Sequence, residues 1–99
     1  MDAFVCIVEI RLHVNESRSL KTKRKHVRSI SEQLRRRFGA AVAEVGGQGT
    51  WQRATLLCAL VGGSEVSARA DKLERFVEAR LPDGCTFERD LRSLSDLRE

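Results

Sequence analysis

An α+β fold with the element order βαββαβ is predicted for these 99 residues by three observations. Two segments, 4–12 and 52–61, alternate in a way that leaves both faces largely apolar, as central strands do. Two others, 20–38 and 66–81, repeat apolar residues at helical spacing. Gly46-Gly47-Gln48-Gly49-Thr50 is a turn, too short for a crossover, so the segments it joins form a hairpin.

Each element has its own warrant. In the first strand Phe4, Cys6, Val8, Ile10 and Leu12 share one face, and the other face turns polar only at Glu9 and Arg11. A loop from His13 follows, and Ser19 is placed to cap a helix. That helix runs to Phe38 on a stripe of Leu20, Val27, Ile30, Leu34 and Phe38, with Gly39 as its C′ residue. Ala40 to Val45 is a short strand, and Gln52 to Val61 is a long one. Ser64 is expected to cap the second helix with Glu65 in its first turn, and Val66, Ala70, Leu73, Val77 and Leu81 to be buried. Phe76 falls on the edge of that stripe. Pro82-Asp83-Gly84 ends the helix, and Cys85 to Leu94 is an edge strand. One domain therefore spans 1–94, with 95–99 as a polar, frayed tail.

Two crossover helices and one hairpin on a four-stranded antiparallel sheet make a ferredoxin-like fold of strand order 4-1-3-2. Both helices cover one sheet face. Val5, Ile7, Leu57, Ala59 and Val61 are then left on the open face, and such a patch predicts a homo-oligomer.

A composition of 41% apolar and 32% charged residues excludes a disordered chain, and no apolar run could cross a bilayer. The N-terminus enters an apolar strand with no signal-peptide pattern, so a cytoplasmic setting is expected. Cys6 and Cys58 read as small core residues, and Cys85, after Gly84, as the more reachable thiol. His13 and His26 read as surface residues, and no ligand spacing predicts a metal or a cofactor.

Charge supplies the strongest functional signal. Residues 18–37 hold nine Lys or Arg and one acid, a local charge of +8, while the rest of the chain carries −4. Such concentration on one helix points to a polyanionic partner. Lys21, Lys23, Arg24 and Lys25 oppose the dipole at the helix start, where a chain selected for stability alone would place acids. Lys21, Arg24, Lys25, Arg28 and Arg35 form one stripe that Glu32 interrupts, and Lys23 falls nearer the buried side, where it is expected to snorkel. Arg35, Arg36 and Arg37 sit where the dipole favours them. The competing reading is a solvated face balanced by Asp71, Glu74 and Glu78 of the second helix. Trp51 and Arg53 flank the turn and could stack on a base, or Trp51 could simply pin its own hairpin. The sheet offers no exposed aromatic row, so backbone and shape recognition of RNA is favoured over base reading.

Ser19-Leu20-Lys21-Thr22-Lys23-Arg24 resembles an S-L-K-x-K-R signature. Ala43-Glu44-Val45-Gly46 with Trp51-Gln52-Arg53-Ala54 resembles an A-E-V-G…W-Q-R-A hairpin. Together they resemble the YlxP-like family of small bacterial proteins of unknown function, over residues 5–94. The resemblance implies a ferredoxin-like fold, a bacterial cytoplasmic setting, and genes lying among those for transcription, translation initiation and ribosome maturation. Gly47 and Gly49 depart from the family's bulkier turn.

The expectation is a non-enzymatic accessory protein that binds RNA or a ribonucleoprotein such as the ribosome through Lys21, Lys23, Arg24, Lys25, Arg28, Arg35, Trp51 and Arg53. One alternative is a dimeric regulatory domain holding a small ligand. Another is a phosphate-recognising hydrolase, for which Asn15 and Arg18 supply groups but the loop after the first strand has no glycine.

Overall fold

The computed structural model describes residues 2–14, 19–47, 52–81 and 84–99. Its elements are β1 (Phe4–His13), α1 (Leu20–Phe38), β2 (Ala41–Gly46), β3 (Arg53–Gly62), α2 (Val66–Arg80), β4 (Cys85–Ser93) and a short α3 (Leu94–Arg98). The sheet is antiparallel in the order β2-β3-β1-β4, so the architecture is the ferredoxin-like one, with the two most apolar strands in the centre.

Register decides which residues meet the helices. Cys6 faces Leu60, Val8 faces Cys58 and Ile10 faces Leu56 across β1 and β3, and all six are fully buried. α1 lays Val27, Ile30 and Leu34 on the β2–β3 side. α2 lays Val66, Ala70, Leu73 and Val77 over β1, β3 and β4. Each fully buried Leu, Ile or Val side chain contributes about 1.5–3 kcal/mol, so this layer is the main source of stability. On the opposite sheet face Val61 is 64% exposed, Val45 51% and Leu57 37%.

Three details differ from the sequence reading. Ser64 does not cap α2. The Val66 N–H bonds the Gly63 carbonyl at 3.2 Å, and the backbone is already helical at Glu65 (φ −77°, ψ −7°). Glu65 instead turns back to accept the Gly63 N–H at 3.2 Å. The polar tail is not frayed over its whole length. Ser93 and Asp96 form a reciprocal capping box that starts α3, with bonds of 3.0 and 3.2 Å. Lys23, third, is one of the largest fully buried side chains.

Candidate nucleic-acid interface

α1 starts where Ser19 accepts the Thr22 N–H at 3.2 Å, and it has no acid in its first turn. It ends at Gly39, whose φ of 64° suits a residue without Cβ and lets its N–H reach the Arg35 carbonyl at 3.1 Å. Between these caps the buried stripe faces the sheet, and Lys21, Arg24, Lys25, Arg28 and Arg35 are all exposed. Among the described residues no carboxylate lies within ion-pair distance of any of the five.

Lys23 leaves this set. It occupies a core-facing position of α1 and is 1% exposed. Its ammonium donates to the carbonyls of Gly47 at 2.5 Å and Arg53 at 3.2 Å, and the Glu44 carboxylate lies 3.8 Å away. Those carbonyls stand on the two sides of the β2–β3 turn, so Lys23 clamps the hairpin to the first turn of the helix. A phosphate has no access to it. Gly47 is shaped by the same contact region. Its φ is 79°, and a Cβ there would lie 2.5 Å from the Arg53 carbonyl oxygen.

The clamp also brings the exposed Arg53 beside the helix start, a proximity invisible in sequence. Trp51, Asn15 and Arg18 lie outside the described residues. Arg35 has a second task. It donates to the Val42 carbonyl at 2.8 Å and ties the end of α1 to the edge strand β2.

The acids of α2 turn away from α1. Arg89 of β4 draws Asp71 to 3.0 Å and Glu74 to 2.9 Å, with a further bond from its Nε to Glu74 at 3.0 Å. Glu78 lines the α2–β4 cleft with Cys85, Thr86 and Phe87. The α1 side of α2 carries different chemistry. Arg80 lies 4.0 Å and Arg37 4.8 Å from the centre of the Phe76 ring, which meets Phe38 edge-on at 5.5 Å. Sequence reasoning passes over Arg80, although its position four residues after Phe76 is the signal that would have found it.

The thiols are not activated. Burial pushes Cys58 up to about 11, with Arg35 opposing it, and burial also raises Cys6 and Cys85. A nucleophilic cysteine needs the opposite shift. Among the described residues no group of His, Cys, Asp or Glu could hold a metal ion, and no helix is long and apolar enough to cross a membrane.

The fold and site together define a small ferredoxin-like domain with one exposed basic helix face. The chain belongs to a protein family of unknown function, DUF503, whose model matches residues 5–86. No match was found among the curated proteins. Among solved structures it is similar to a de novo designed protein, Foldit4, at 12% identity and a TM-score of 0.55, covering 92% of this chain and 97% of that one. That likeness concerns the fold alone.

Proposed function

We propose that this protein binds RNA, within a ribonucleoprotein such as a ribosomal particle, through the exposed face of α1, and that it does so without catalysis. The observation carrying this reading is the direction of the α2 acids. A solvated, internally balanced α1 requires Asp71 and Glu74 to face it, and both are engaged by Arg89 on the far side. Lys21, Arg24, Lys25, Arg28 and Arg35 remain as an exposed row suited to successive phosphates. Arg53, whose carbonyl accepts from Lys23 at 3.2 Å, adds a cation near the helix start.

Self-association is part of the proposal, with a second copy on the open sheet face. Val45, Leu57 and Val61 lie exposed there without a charge among them. The β1 and β4 side of that face carries both signs, Glu9, Glu88 and Asp90 beside Arg11 and Arg92, as a self-complementary surface requires. Pairing by this face leaves both copies of α1 free.

The test is co-sedimentation of tagged protein with ribosomal particles from bacterial lysate across a salt series. Association that holds near ~150 mM salt and fades above it is the expected result. No association at any salt overturns the reading.

A further inference from the structure

We infer that the seam between α1 and α2 is a second phosphate-binding element, built from Arg37 and Arg80 around Phe76 with Arg36 beside it. It lies on the opposite flank of α1 from the row just described. The inference goes beyond the RNA reading by adding a site, and it rests on that reading only where the phosphate belongs to a nucleic acid.

Two guanidinium groups are gathered on one aromatic ring, at 4.0 and 4.8 Å from its centre. Their central carbons are therefore no more than about 9 Å apart. Like charges at this spacing repel, and among the described residues no carboxylate lies within ion-pair distance of Arg36, Arg37 or Arg80. The arrangement is also oriented. Gln33 accepts the Arg80 Nε–H at 3.2 Å and Phe76 supports both planar groups, so the remaining N–H donors are held before a ligand arrives. Arg36, Arg37 and Gln33 line a shallow depression of α1 together with Ser29. Glu32 lines the same depression and its charge opposes an anion on that side, so the phosphate is expected on the Arg37–Arg80 side. Guanidinium forks match phosphate oxygens in pairs, so the ligand class is a phosphate group, either of an RNA backbone or free.

Two measurements on the full chain separate the sources. The first follows the arginine Nε–H resonances during titration with inorganic pyrophosphate. Saturable shifts at Arg37 and Arg80 are expected, and their absence overturns the site. The second measures affinity for a fluorescein-labelled single-stranded RNA of mixed sequence against salt, for wild type and Arg37→Gln/Arg80→Gln. The double variant is expected to flatten the log–log slope by about 1.4, the value for two lost contacts to a single strand. Pyrophosphate shifts with an unchanged slope, or with no RNA binding by wild type, identify a free-phosphate site. In the last case it is the RNA reading that falls. RNA binding through α1 with neither a slope change nor pyrophosphate shifts removes the seam and leaves that reading intact.

Discussion

The ammonium of Lys23 lies 2.5 Å from the carbonyl oxygen of Gly47, across twenty-four residues of chain. A lysine of the basic helix is thus spent on holding the hairpin rather than on solvent. Lys23→Met should keep the aliphatic packing but remove the ammonium that the Gly47 and Arg53 carbonyls share. A loss of about 2–4 kcal/mol in urea unfolding is expected, followed by circular dichroism. RNA affinity of the folded variant should match wild type under conditions where both are native. A marked loss of affinity without a loss of stability would return Lys23 to the binding row.

Arg24→Glu with Arg28→Glu reverses two charges in the middle of that row. Both side chains are exposed and make no ion pair among the described residues, so thermal stability should change little. RNA binding measured by fluorescence polarisation should be abolished at moderate salt. Wild-type affinity in the folded double variant refutes the assignment to α1.

The open sheet face makes a separate claim. Light scattering at micromolar concentration should give a mass above that of one chain. Leu57→Lys with Val61→Asp should return it to the monomer with the circular dichroism spectrum retained. A monomer mass for wild type removes the second copy from the proposal.

Thiol reactivity offers a check on the core. With a disulfide reagent at pH 8, Cys85 should react first, being only partly covered. Cys6 is fully buried, and Cys58 is both buried and raised to about 11, so both should wait for denaturant. Three equal fast phases in native buffer would contradict the packing described here.

The last helix is held by its cap and by the Leu94 N–H, which donates to the Ala3 carbonyl at 2.8 Å, and none of its residues is buried. Ser93→Ala should speed hydrogen exchange at 94–98 while leaving the global unfolding midpoint nearly unchanged. A shift of the midpoint by several degrees would mean that α3 supports the core.

Most of the fold was legible because its periods are clean. The largely apolar faces of 4–12 and 52–61 mark them as the central strands, and the stripe from Val27 to Leu34 names the helix face that covers the sheet. Local capping was less legible. Ser64 has the right chemistry for an N-cap, but the Gly63 carbonyl starts the helical turn without it. The sequence reading divides Ser93, in the edge strand, from Asp96, in the polar tail, although their spacing is that of a capping box. The site was legible as charge and not as geometry. Helical angle placed Lys23 near the buried side, but only the fold brings Gly47 and Arg53 to its ammonium. The partners of Asp71 and Glu74 were equally hidden, because Arg89 reaches them from a strand fifteen residues beyond Glu74.

The turning of those acids towards β4 has a consequence before any contact is made. α1 lies on the β2 flank of the sheet with its surplus of positive charge, while α2 and β4 carry nearly equal numbers of both signs, so charge is uneven across the width of the domain. In the field of a polyanion such a body rotates as it diffuses and arrives helix first. A larger fraction of collisions is then productive, and that gain fades as added salt shortens the reach of the field.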